Sequence, residues 1–135
     1  MSTVDNSAGE KIFGPIKKGD LQGVRKLIDT GADVNSTSKF GWSPLMCAAC
    51  QGSTPIIRCL ITAGADVNAV NDFGVSSLAY AALEGHCKAV ELLLKSGARV
   101  DVRPHGVSLV QFAQSGAGRF ITTKHFDILK KAGAV

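Results

Sequence analysis

Apolar residues recur along the chain in short, evenly placed bursts at helical spacing. Leu21, Val24, Leu27 and Ile28 make one burst, Ile56, Ile57, Leu60 and Ile61 a second, and Val90, Leu93 and Leu94 a third. Steps of three and four residues align such side chains on one face of a helix. Ahead of the later two bursts lie shorter helical patterns rich in small residues: Leu45, Ala48 and Ala49, then Leu78, Ala81 and Ala82. Punctuation agrees with this pairing. Ser43-Pro44 offers an N-cap hydroxyl and a proline at the first helical position. Gly52 is placed to end that helix in a left-handed C-cap. Thr54-Pro55 starts the next helix and Gly64 ends it, while Gly85-His86 marks the break in the following pair. Between pairs, Asn71, Asp72 and Gly74 predict an extended loop with a tight turn.

The pairs repeat. Gly-Ala-Asp-Val-Asn occupies Gly31 to Asn35 and again Gly64 to Asn68, and Gly-Ala-Arg-Val-Asp follows from Gly97 to Asp101, at intervals of 33 and 33. Phe40-Gly41 and Phe73-Gly74, Leu45 and Leu78, and Gly52 and Gly85 keep the same interval. A fixed period of this length is the mark of a stacked repeat, in which no unit buries its apolar face alone. Projected outward, the period adds an N-terminal unit broken at Gly19-Asp20 and a C-terminal unit from Gly106 to Gly133. Gly133 falls 36 residues after Gly97, so Ser115 to Lys124 is expected to form an enlarged loop. The chain therefore divides into a polar tail, 1–8, and one domain, 9–135, with units of about 9–38, 39–71, 72–104 and 105–135.

Gly41-Trp42-Ser43-Pro44-Leu45-Met46-Cys47-Ala48-Ala49 resembles the Gly-x-Thr-Pro-Leu-His-x-Ala-Ala signature of the ankyrin repeat, and Gly85-His86 through Gly97-Ala98 resembles its second half. The resemblance implies an all-α ankyrin solenoid of about four helix-turn-helix units joined by β-hairpin-like loops. Departures such as Ser76-Ser77 for Thr-Pro, and Met46 and Ala79 for the family histidine, are expected to weaken local caps by about 0.5–2 kcal/mol each. The resemblance further implies a non-catalytic module that presents a concave groove and loop tips to another protein. In size and plan the chain is similar to small all-ankyrin proteins that regulate or inhibit a folded partner by sequestering it. An adaptor or targeting subunit that recognises a peptide tail is the alternative.

Carried over position by position, the implied contacts at the loop tips are Lys39, Phe40, Trp42, Asp72, Phe73, Val75, Pro104, His105 and Val107. At the ends of the first helices they are Lys17, Lys18, Cys50, Gln51, Leu83, Glu84 and Gln114. Phe40, Trp42 and Phe73 stand out, since aromatic residues are enriched in interface hot spots, although they could equally cover the stack's own edge. Leu27 to Asn35 and Leu60 to Asn68 also resemble the acceptor pattern of an asparaginyl hydroxylase that acts on ankyrin repeats. The competing account is that Asn35 and Asn68 tie the turn through side-chain hydrogen bonds.

Composition narrows the function little. The chain has 135 residues, 45% hydrophobic and 19% charged, with a net charge of +4. The basic residues are dispersed, so binding to nucleic acid or an acidic membrane surface is the weakest of the readings. No apolar run is long enough to span a bilayer. With no secretory leader pattern at the start, the expectation is a cytoplasmic protein, with the nucleus also open to it, and a monomer. Cys47-x-x-Cys50 lacks the second ligand pair of a zinc site, and Cys59 and Cys87 sit apart on expected helices. Ser115-Gly116-Ala117-Gly118-Arg119 lacks the Lys-Ser/Thr of a phosphate loop. No serine, histidine and acid converge by spacing. The expectation is no enzyme, no cofactor, no metal and no small-molecule substrate.

Overall fold

The computed structural model describes residues 11–116 and 123–133. Eight helices run in pairs through them: α1 (Phe13–Lys18) with α2 (Leu21–Asp29), α3 (Pro44–Gln51) with α4 (Thr54–Thr62), α5 (Ser77–Leu83) with α6 (Cys87–Lys95), and α7 (Leu109–Gly116) followed by α8 (Thr123–Lys131). Helices this short are marginal alone in water, so packing has to hold them. The first helices stack as α1, α3, α5 and α7, the second helices as α2, α4, α6 and α8, and the two layers meet along their apolar faces.

The core is a line, not a ball. Leu45, Ala48, Ala49, Leu78, Ala81, Ala82 and Ala113 are buried in the first layer, and Val24, Ile56, Ile57, Leu60, Val90 and Leu93 in the second. Alanines in the first layer let adjacent helices approach closely. Ile12, Phe13 and Ile16 close one end, and Leu129 is buried at the other.

The caps explain why the helices start and stop where they do. Ser43 Oγ accepts from the Met46 amide at 3.2 Å, and the Ser43 amide donates to Met46 Sδ at 3.4 Å. A methionine thus completes the capping box in place of the expected polar residue. Ser76 Oγ likewise accepts from the Ala79 amide at 3.2 Å. Both serine caps therefore form despite these departures, with the full box present at Ser43. The helix predicted to begin at Thr54 has Ser53 as its N-cap. Gly52 ends α3 at φ 70°, and a Cβ there would lie 2.5 Å from the His86 ring, so only glycine fits.

Two expectations change in detail. The loops are hairpin-like only to the extent of one isolated bridge, Val70 with Ser76, and no strand forms among the described residues. Turn closure rests on two backbone bonds in each loop, Ser38 N–H to Trp42 O at 2.8 Å with Gly41 N–H to Ser38 O at 3.1 Å, and Asn71 N–H to Val75 O at 3.1 Å with Gly74 N–H to Asn71 O at 3.0 Å. The enlarged loop expected over Ser115 to Lys124 is shorter, because Ser115 and Gly116 belong to α7 and Thr123 and Lys124 to α8. Its remainder, 117–122, and the tail at 1–8 lie outside the described residues.

Candidate functional site

Each loop tip is a one-turn segment whose glycine has positive φ: Gly41 at 77°, Gly74 at 73° and Gly106 at 79°. The residue just before the glycine projects outward. Phe40 and Phe73 are 50% and 43% exposed, and His105 is exposed as well. Backbone bonds tie neighbouring tips together, Asp72 N–H to Phe40 O at 2.9 Å and His105 N–H to Phe73 O at 3.0 Å. The rings therefore stand in a row. Phe40 and Phe73 have centroids 5.7 Å apart, and Phe73 and His105 stack at 5.6 Å. Phe112 extends the row, stacked on His105 at 5.8 Å.

Phe40 and His105 adopt φ of 63° and 51°, in the left-handed region. For non-glycine residues that conformation costs of order 1–3 kcal/mol, and it concentrates at functional sites. Lys39 Nζ lies 5.2 Å above the Phe40 ring, giving that end of the row a cation. Val107, 38% exposed, and Val70, 50% exposed, add apolar surface beside it.

Trp42 does something different from the other two aromatics. Its ring stacks on Tyr80 at 4.5 Å in the groove instead of joining Phe40 and Phe73 at the tips. Tyr80 OH accepts from Asn71 Nδ2 at 2.7 Å, and Asn71 Oδ1 accepts from the amides of Phe73 and Val75, both at 3.0 Å. Buried Asn71 therefore joins the groove floor to the tip that carries Phe73. Burial holds the Tyr80 phenol above its usual range, with the Asn71 bond pulling the other way. Trp42 also walls an open cleft of about 450 Å³ with Phe13, Lys17, Ser38 and Cys47.

Several positions expected to contact a partner are occupied otherwise. Val75 is fully buried and belongs to the core, and Pro104 is buried too. Val75 lies just past its tip glycine and Pro104 on the inner side of its tip, so neither is offered to a partner. Leu83 is half-buried against the core. Gln51 is exposed, but its Nε2 donates to Lys17 O at 3.0 Å and so ties α3 to α1. Lys17, Lys18, Lys39, Asp72, Glu84, His105, Val107 and Gln114 are exposed, and Cys50 is half-buried. Asn71 was expected only as a turn residue, and Tyr80 and Phe112 were not singled out by sequence; a visible signal existed, since Tyr80 and Phe112 fall at the first-helix position held by Cys47, one repeat on each time.

Cys50 is no nucleophile at neutral pH. Burial, with Glu84 and Cys47 nearby, pushes its thiol up to about 12. Burial also raises Cys47, partly offset by Lys17. No group of three or more His, Cys, Asp or Glu side chains among the described residues is placed to hold a metal ion, and no helix there is long and apolar enough to cross a membrane.

Asn35 and Asn68 each bridge two repeats. Asn35 Nδ2 donates to Gly64 O at 3.0 Å while its Oδ1 accepts from the Asp66 amide at 2.7 Å. Asn68 repeats this with Gly97 O at 3.1 Å and the Arg99 amide at 2.8 Å. The tie thus reaches across to the following unit, beyond the local turn.

Comparison with known families agrees with this architecture. The family model for ankyrin repeats, in three copies, matches residues 15–104. No curated protein matches the chain. The match covers two thirds of the sequence and ends ahead of α7 and α8, so the chain belongs to the ankyrin-repeat family.

Proposed function

We propose that this protein regulates or inhibits a folded protein partner, docking it along the loop-tip row and in the adjoining groove. Ankyrin repeats are in general protein–protein interaction modules and not catalysts. The observation that carries the finer reading is the row Phe40–Phe73–His105: exposed, in ring contact at 5.7 and 5.6 Å, and strained in the left-handed region at both ends. The costly backbone at Phe40 and His105 holds the half-exposed rings in place, and a preorganised aromatic row loses little entropy on binding. The groove beside it suits a largely apolar counterpart, because α3, α5 and α7 contain no charged residue, while Lys17 and Lys18 of α1 set cations at one end. The module acts as a monomer in this reading, by occupancy of the partner's surface.

Replacing Phe40 and Phe73 by Ala tests it. Affinity capture from native extract with the unaltered chain identifies the partner, and the double variant is then compared by calorimetry. Lost binding at nearly unchanged melting temperature is the expected result. Unchanged affinity at a lowered melting temperature would show that the rings merely cover the edge of the stack.

A further inference from the structure

The second helices carry a run of cations that the first helices α3, α5 and α7 lack. Within α2, α4 and α6 stand Arg25, Lys26, Arg58, Lys88 and Lys95 against Asp29 and Glu91. Arg25 and Arg58 hold the same repeat position, one period apart, and both are exposed. Between α2 and α4 runs an open cleft of about 700 Å³ that Arg25, Ile28, Thr54, Arg58 and Cys59 help to line. Between α4 and α6 a smaller one of about 250 Å³ is lined by Thr54, Arg58, Lys88, Leu92 and Lys95, with Glu91 as its one acidic residue. The two meet at Thr54 and Arg58, forming one trough across three repeats.

Helix stability accounts for only some of these cations. Lys26 and Lys95 lie in last turns, where a positive charge complements the helix dipole. Lys88 lies in the first turn of α6, where it opposes the dipole and where no acidic residue stands. Among the described residues Arg99–Asp101 is the one ion pair, and it lies outside the trough. Glu91 is therefore not within ion-pair distance of Arg58, Lys88 or Lys95.

We propose that the trough binds an acidic amphipathic segment of a protein, its carboxylates on the cationic rim and its apolar side chains over Ile28, Cys59 and Leu92. Charge complementarity selects an acidic occupant, and the half-buried apolar floor selects one with an apolar face. Nucleic acid fits less well, since no aromatic residue lines either cleft for base stacking. Because the trough lies on the second helices, away from the tips and groove, the protein can hold this segment and a groove partner together. The proposal stands independently of the tip reading.

The test uses the full chain and a fluorescein-labelled helical peptide with one Glu face and one Leu face, followed by fluorescence anisotropy. Saturable binding is expected, weakened roughly tenfold or more by Arg25→Glu with Arg58→Glu. Binding should be unaffected by Phe40→Ala with Phe73→Ala, and lost when the peptide's Leu residues become Ser. Lys88→Glu separates binding from folding: it should raise the melting temperature slightly, by relieving the first turn of α6, while weakening the peptide. No binding by the unaltered chain would overturn the proposal, as would equal binding by the charge-reversed variant. Tighter, steeply salt-dependent binding of a labelled DNA duplex on the same residues would overturn it in favour of nucleic acid.

Discussion

Asn68 offers a direct measure of how strongly one repeat is coupled to the next. Its side-chain amide accepts from the Arg99 amide at 2.8 Å and donates to Gly97 O at 3.1 Å, so Asn68→Ala removes two bonds that cross the repeat boundary. A typical hydrogen bond contributes about 0.5–1.5 kcal/mol net. Gly97 and Arg99 are exposed, and water re-solvates the groups left behind, so the lower half of the doubled range applies: about 1–2 kcal/mol. For a chain of this size that is a fall in Tm of roughly 3–8 °C. Asn68→Asp refines the experiment. The carboxylate keeps the acceptor for Arg99 but sets an oxygen against the Gly97 carbonyl, so it should cost nearly as much as alanine. Thermal melts followed by circular dichroism measure both, and hydrogen exchange at the Arg99 amide should accelerate in Asn68→Ala alone. A melting temperature within about 1 °C of the parent for both variants would refute the idea that these asparagines couple the repeats.

Asp101 holds the position of Asn35 and Asn68 but cannot donate, and it pairs instead with Arg99 at 2.7 Å. Asp101→Asn should leave stability unchanged or raise it, since an ion pair this exposed contributes little; a marked fall in Tm would contradict that. Gly52→Ala should destabilise by about 1–3 kcal/mol, because φ is 70° and the new Cβ meets the His86 ring at 2.5 Å; a urea melt measures it. Cys50, with its thiol pushed up to about 12 from 9.0, should alkylate far more slowly at pH 8 in the folded chain than in urea. The raised value means that the folded state holds its proton longer. Its contribution is therefore complete below pH 9 and is lost as pH rises toward 12, so stability should fall across that window. Mass spectrometry of the natively purified protein decides the hydroxylase resemblance, one added oxygen on Asn35 or Asn68 supporting it and unmodified residues excluding it.

The repeat was legible because short-range chemistry writes it. Glycines at Gly31, Gly64 and Gly97 take φ near 95°, which other residues resist, so they recur wherever the second helix must end. Ser43-Pro44 and the alanine pairs follow from capping and close packing in the same way. Exposure at the tips was less legible. Phe73 and Val75 are two residues apart in one loop, yet one projects 43% into solvent and the other is fully buried. Their apolar character does not distinguish them. The difference arises where Asn71 gathers both amides and turns the loop base into the core. Trp42 was grouped with Phe40 and Phe73 by position, but its stacking partner Tyr80 comes from the next repeat, 38 residues on.

Sequence alone determined the period, the pairing of helices and the family, because caps, turns and apolar spacing act within a few residues and repeat with the unit. Tertiary structure decided which of the outward positions stay exposed, which are drawn into the core or into ties such as Gln51 to Lys17, and which clefts the stacked helices leave open. Those outcomes depend on contacts between units, and a surface made by juxtaposition has no counterpart in any one of them.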